Sequence, residues 1–210
     1  MRGGSLNRKE PIIDGDYYHV YNRGNDQREI FRTPGDYAFF LSRLRAYLPR
    51  YKVHAVVYAL LPNHYHTILM QEVDGDLPSM MGTLATSYVR RFNLRYSRTG
   101  HLFEGPYKYK RISSSEYLMH LARYVHLNPV FAGLVRLPEN WPWSNYCQCV
   151  NLEGASSNPV ARGMGVALPL CNIQPLLAEF AGDPLRYKEF VRSYSEEQFK
   201  QMRKDLFDEP

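Results

Sequence analysis

The stretch Val53-His54-Ala55-Val56-Val57-Tyr58-Ala59-Leu60-Leu61-Pro62-Asn63-His64-Tyr65-His66-Thr67-Ile68-Leu69-Met70 decides the fold. It holds two runs rich in β-branched, aromatic and apolar residues, Val53 to Leu61 and His64 to Met70, interrupted only by Pro62-Asn63. Proline presets a turn and asparagine tolerates one, so the pattern predicts two antiparallel strands joined by a tight hairpin.

The flanking sequence supplies the neighbours such a hairpin needs. Tyr17 to Tyr21 alternates apolar or aromatic with polar residues and ends in the turn cluster Asn22-Arg23-Gly24-Asn25, which reads as an earlier strand. Thr33-Pro34-Gly35-Asp36 starts a helix whose stripe is Tyr37, Phe40, Leu41, Leu44 and Leu48. A second helix is expected over about Leu77 to Arg98, a fourth strand over Tyr107 to Ile112, and a third helix from a capping box at Ser113-Ser114-Ser115-Glu116 to a stop at Asn128-Pro129. The order β-α-β-β-α-β and then a helix predicts an α+β fold. It is a ferredoxin-like split β-α-β antiparallel sheet with two helices on one face and the added helix over the other. Trp141 to Tyr146 reads as a packed aromatic segment, and Asn151 to Gly165, rich in Gly, Ser and Asn, as a mobile loop. A domain is therefore expected over 1–150, with a helical C-terminal extension over 151–210.

Composition narrows the classes. The 210 residues carry 26 Lys and Arg against 21 Asp and Glu, and 17 tyrosines. A basic, aromatic chain suits a nucleic-acid partner. Its longest apolar run, Ala55 to Leu61, is far short of the ~20 residues that span a bilayer. Met1 to Glu10 has no apolar core for a signal peptide. Cys147, Cys149 and Cys171 cannot all pair and lack zinc-knuckle spacing, so a reduced cytoplasmic protein is expected. The charge is local: Tyr88 to Arg111 holds Arg90, Arg91, Arg95, Arg98, Lys108, Lys110 and Arg111 against the single acid Glu104, interleaved with aromatic rings. Cations bind phosphates and exposed rings stack on unpaired bases, although some of these rings must belong to the core. Arg23 in the first turn is a further candidate for a phosphate or base contact.

Residues i and i+2 of a strand share a face, so His64 and His66 point together and Tyr65 points away. Two co-facial imidazoles are half of a divalent-metal site, or a hydrogen-bonded pair at a sheet face. On the third helix Tyr117, His120, Tyr124 and Asn128 share one side, while Leu118, Leu121 and Val125 lie on the adjacent one. A polar side on a helix that covers two histidines points to a composite site, with Asn128 offering an amide oxygen and Tyr124 one turn away. A buried tyrosine with a satisfied hydroxyl is the plainer reading of Tyr124.

Leu61-Pro62-Asn63-His64-Tyr65-His66, followed by Tyr124-Val125-His126-Leu127-Asn128-Pro129-Val130 and Ala132-Gly133, resembles the single-tyrosine HUH transposases, and within them the REP-associated tyrosine transposases. Tyr18-His19-Val20, Asn22-Arg23-Gly24-Asn25 and the Trp141 to Tyr146 segment are also similar to that family, so the resemblance covers about residues 15 to 147. It implies His64, His66 and Asn128 as ligands of Mg²⁺ or Mn²⁺ and Tyr124 as the nucleophile. It further implies single-stranded or hairpin DNA of REP type as substrate, cleaved and rejoined through a 5′-phosphotyrosine intermediate. The expected DNA contacts are Arg23, Arg90, Arg91, Arg95, Lys108, Lys110 and Arg111. A monomer is favoured because the chain between Arg111 and Glu116 is short. Two competing readings are a non-catalytic RRM-like module that stacks bases on its sheet, and a phosphoesterase that uses water.

Overall fold

The computed structural model describes residues 11–151 and 169–207. Four strands form one antiparallel sheet: β1 (Tyr17–Arg23), β2 (Val53–Leu61), β3 (His64–Gln71) and β4 (Lys108–Ile112), in the order β2-β3-β1-β4. This is the ferredoxin-like arrangement expected from element order. Strands β2 and β3 pair from Val53↔Gln71 to Leu61↔His64 across the Pro62-Asn63 turn, with an irregularity between Ala55 and Val57. The segment after β1 clamps that turn. Ile30 and Phe31 donate their N–H groups to the Pro62 carbonyl at 2.7 and 2.9 Å, and Gly24 donates to the Asn63 carbonyl at 2.8 Å. A β-carbon on Gly24 would sit 2.1 Å from the Arg28 carbonyl oxygen, so only glycine fits this close approach.

Helices α1 (Pro34–Arg50) and α2 (Leu77–Arg95) cover one face. The Thr33 N–H donates to the Asp36 carboxylate at 3.0 Å, closing the first turn of α1 as its sequence predicts. The core beneath is aromatic: Phe31, Phe40, Tyr65, Tyr88, Phe92 and Phe103 pack with Tyr18, Leu41 and Leu69. Trp143 adds to it by stacking on Tyr37 at 4.6 Å. Helix α2 stops at Arg95, three residues before the expected end, because Ser97 turns into the left-handed region at φ 49°.

The other face is covered by α3 (Ser115–Phe131), whose Leu118, Leu121, Ala122 and Val125 meet Val57, Ala59 and Ile68 of the sheet. Two details of α3 differ from expectation. Ser114 caps it by accepting from the Tyr117 N–H at 3.1 Å, so the box does not close on Glu116. The helix also continues through Pro129 to Phe131. Proline two residues before the end removes one backbone donor, and the Ala132 N–H still reaches the Asn128 carbonyl at 2.9 Å.

A short α4 (Tyr146–Cys149) follows, and then α5 (Gln174–Ala178), α6 (Pro184–Arg192) and α7 (Glu196–Phe207). Leu176, Leu177, Tyr187, Val191 and Phe199 of these last helices are buried in the same core as α3. From residue 152 the anticipated mobile loop lies outside the described residues. Among the described residues no helix is long and apolar enough to cross a membrane.

Candidate active site

Strand alternation places Tyr17, His19, Tyr21 and Arg23 of β1 on one face with His64, His66 and Ile68 of β3 and with Lys108 and Lys110 of β4, through the pairs Tyr21↔His66, His19↔Ile68, Tyr21↔Lys108 and His19↔Lys110. This is the face that α3 covers. Tyr65 points the other way and packs on Phe40 with ring centres 5.1 Å apart. His66 is buried, its ring 5.0 Å from that of His64 and nearly perpendicular to it.

Helix α3 completes the group. The Asn128 Oδ1 lies 3.3 Å from His64 Nε2, and the Tyr124 hydroxyl stands near the Asn128 side chain one turn along the helix. The Tyr124 ring meets that of His66 edge-on at 5.7 Å. The four residues singled out from the sequence are thus neighbours. Among the described residues α1 and α2 cover one sheet face and α3 covers the centre of the other, which counts against an RRM-like module that stacks bases on an open sheet.

Burial sets the protonation states. It holds His64 down to about 4, opposed by the Asn128 amide oxygen, to which only the protonated ring could donate, and reinforced by the positive charges of Arg203 and Arg23. Burial also keeps His66 well below the ordinary histidine range, with His64 and His19 adding to the effect. Both imidazoles are therefore neutral at neutral pH, the form that can bind a metal. Tyr124 is pushed up to about 12 by burial, partly offset by the Asn128 side chain and by Arg203. Two imidazoles and an amide oxygen fit a divalent ion that must keep positions for substrate. Among the described residues no cluster of three His, Cys, Asp or Glu side chains accompanies them.

The remaining sequence candidates divide between two surfaces. Lys108, Lys110 and Arg23 share the face of the histidines by register, and Arg23 is held by Glu104 through a 2.8 Å bond. Arg111 lies on the opposite face, across from Tyr18, and pairs with Asp16 at 2.7 Å. Arg90 and Arg91 line an open cleft of about 980 Å³ with Phe39, Tyr51 and Thr83, in the layer of α1 and α2. Arg95 sits 3.7 Å from Asp36 in that same layer. His120, on the same side of α3, is engaged elsewhere: its Nδ1 accepts from Arg123 at 2.8 Å and its ring meets Phe190.

The structure also adds residues that sequence reasoning missed. His19 Nε2 is 2.9 Å from His66 Nδ1. Its signal was present, since alternation along β1 puts His19 on the histidine face once β1 is known to neighbour β3. Phe199 of α7 lies flat on Tyr124, with ring centres 4.7 Å apart and planes 21° from parallel, leaving the tyrosine 2 % exposed. Nothing local in the sequence marks Phe199.

The solved structure of a REP-associated tyrosine transposase bound to a REP hairpin shares this fold, with a TM-score of 0.57 and 20 % identity over 71 % of this chain and 87 % of that one. No curated protein matches. The sequence profile of the IS200-like transposases matches residues 13–128, more than half of the chain and the whole span from before β1 to Asn128. The chain belongs to the IS200-like transposase family.

Proposed function

We propose that this transposase cuts and rejoins single-stranded DNA beside a hairpin, with Tyr124 as its nucleophile and His64, His66 and Asn128 as ligands of Mg²⁺ or Mn²⁺. The convergence of those four side chains between α3 and the sheet carries the reading. The hairpin is favoured because the solved structure that shares the fold is bound to one, a REP element.

The Tyr124 oxygen attacks the scissile phosphorus in line, the new Oη–P bond forms, and the bond from phosphorus to the 3′-oxygen breaks. The leaving strand ends in a 3′-hydroxyl, taking up a proton as the phenol gives one up. The other strand stays on Tyr124 as a 5′-phosphotyrosine, which conserves the phosphodiester so that another 3′-hydroxyl can rejoin strands without ATP. A bound divalent ion supplies Lewis acidity at the scissile phosphate. The chain itself orients the phenol through Asn128, and Arg23, Lys108 and Lys110 offer positive charge on the same face. Arg90, Arg91, Arg95 and Arg111 would hold DNA outside the catalytic face. The catalytic unit is residues 1–150 and the extension 151–210. The short chain between β4 and α3, Arg111 to Ser115, favours a monomer in which each chain completes its own site.

Incubation with labelled hairpin DNA and Mn²⁺, read on a denaturing gel, tests this. A covalent adduct is expected, abolished by Tyr124→Phe while DNA binding survives. Cleavage that persists in Tyr124→Phe would identify a water-using phosphoesterase. Binding without cleavage, unaltered by His64→Ala, would identify a binding module.

A further inference from the structure

We propose that His19 and Asn63 are positioning residues, acceptors that keep the protons of His66 and His64 on Nδ1 and so turn both Nε2 lone pairs toward the metal. The inference rests on the metal-dependent reading above and names the residues that prepare its site.

At His64 the orientation follows from a chain of donors and acceptors. The Asn63 amide donates from Nδ2 to the Gln27 carbonyl at 3.3 Å, which leaves its Oδ1 facing His64 Nδ1 at 2.6 Å. A carbonyl oxygen only accepts, so the His64 proton resides on Nδ1. His64 Nε2 is then a bare lone pair, and 3.3 Å away stands Asn128 Oδ1, a second acceptor. Two acceptors aimed at each other repel unless a positive charge stands between them. That is the arrangement expected of two ligands of one cation.

At His66 the same role falls to His19. The two imidazoles are close to coplanar, at 18°, with His19 Nε2 2.9 Å from His66 Nδ1, and His19 is further held by stacking on Tyr21 at 4.7 Å. One nitrogen of the pair donates and the other accepts. A metal on His66 Nε2 requires the proton on Nδ1, and His19 Nε2 is the acceptor that receives it.

His19 is a poor choice for packing alone. It is 0 % exposed, and its Nδ1 has no hydrogen-bond partner among the described residues. Burying an imidazole with one nitrogen unsatisfied costs free energy that a leucine at the same place would not. The hydrogen bond to His66 is what the histidine provides there.

The test separates this inference from the strand-transfer reading. Mn²⁺ is titrated into the DNA-free protein, with free aqua Mn²⁺ followed by electron paramagnetic resonance. His19→Leu and Asn63→Ala are each expected to weaken binding about 10- to 100-fold, while His19→Gln, which keeps an acceptor, recovers part of the loss. His19→Leu should melt no lower than the wild type in EDTA. Nitrogen NMR of the wild-type imidazoles reads the tautomers directly, whether or not a variant folds. Nδ1 protonation of His64 in the metal-free protein, and of His66 with Mg²⁺ bound, is expected. Protonation of His64 on Nε2, or wild-type Mn²⁺ affinity in folded His19→Leu, would overturn the inference. The expected tautomers and affinity losses in a protein that forms no DNA adduct would support it while overturning the strand-transfer reading.

Discussion

The Phe199→Ala substitution tests whether α7 bars the way to Tyr124, the proposed nucleophile. Phe199 is 6 % exposed and stacks on Tyr124 at 4.7 Å and on Phe131 at 4.0 Å. Burying a phenylalanine side chain stabilises by roughly 1.5–3 kcal/mol, and each aromatic pair adds about 0.5–1.5 kcal/mol. The sum agrees with the ~3–5 kcal/mol that truncating a packed phenylalanine costs. Taking the low end, about 3 kcal/mol, the population with α7 lifted rises roughly 100-fold, since each 1.4 kcal/mol is a factor of ten. If DNA must reach the Tyr124 oxygen through the space that Phe199 fills, the initial rate of covalent adduct formation rises by about the same factor, up to the limit of a fully open helix. The assay pairs that rate, on labelled single-stranded DNA with Mn²⁺, with hydrogen exchange. Amides of α7 should lose about 100-fold protection while those of β1 and β3 keep theirs. A hundredfold faster exchange in α7 with an unchanged adduct rate would refute the reasoning, because Tyr124 would then be reacting beneath a closed helix.

Further predictions concern the surface, the docking of the last helices, and acid. Arg90→Ala with Arg91→Ala removes both arginines of the α1–α2 cleft and should flatten the dependence of log affinity on log salt by about 1.4 for a single strand; an unaltered slope places the DNA elsewhere. Arg123 is 3 % exposed and lies between the rings of Phe190 at 3.9 Å and Tyr194 at 3.8 Å. Arg123→Ala should therefore loosen α6 and the turn to α7 by about 1–4 kcal/mol, and Arg123→Lys should not restore them, because the flat guanidinium fills the sandwich. Limited proteolysis between Phe190 and Glu196 measures that loosening. In metal-free protein the buried imidazoles make stability acid-sensitive: burial lowers His19 to about 3, His126 to about 4, and His66 well below its ordinary value. The unfolded chain protonates these groups near the ordinary 6.5 while the folded chain does not, so unfolding takes up protons between that value and about 4. Stability is full above this window and declines as pH falls through it, by about 1 kcal/mol per buried histidine near pH 5.5. Melting in EDTA across that range checks the sign; a flat Tm would contradict it.

Much of the site was legible because it is built from periodicities. Alternation along β3 put His64 and His66 on one face, and the helical repeat put Tyr124 and Asn128 on one side of α3. The element order then brought that helix over that sheet face. What stayed hidden depends on long-range pairing. His19 becomes a site residue only through the register that sets β1 beside β3. Phe199 becomes one only through the docking of α7 on α3, which no local pattern encodes. The basic segment misled in a specific way. Read as one block it suggested one DNA surface, but α2 and β4 lie in different layers, and alternation within β4 splits Lys108 and Lys110 from Arg111. Linear charge density marks a partner's chemistry better than its path.

The site's parts also differ in how freely they can move. His64 and His66 stand on β3, which is hydrogen-bonded on both sides by β2 and β1, and the turn before His64 is clamped by Gly24, Ile30 and Phe31. Helix α3 is fixed to the sheet by Leu118, Leu121 and Val125, so the distance from Tyr124 and Asn128 to the histidines is set by core packing. Such a framework holds its polar groups in place before substrate arrives, which is where electrostatic stabilisation of a transition state is most effective. Among the described residues helix α7 is held chiefly by Phe199, and its first two turns expose Glu196, Glu197, Gln198 and Lys200. On the strand-transfer reading proposed above, the energy needed to admit a phosphodiester to Tyr124 would therefore fall on α7 and leave the proposed ligand framework intact. Opening would also rehydrate the phenol, and burial is the largest cause of its raised pKa. In Phe199→Ala the alkaline limb of the adduct-formation profile should accordingly move toward lower pH, from about 12 toward the ordinary tyrosine value of 10.0.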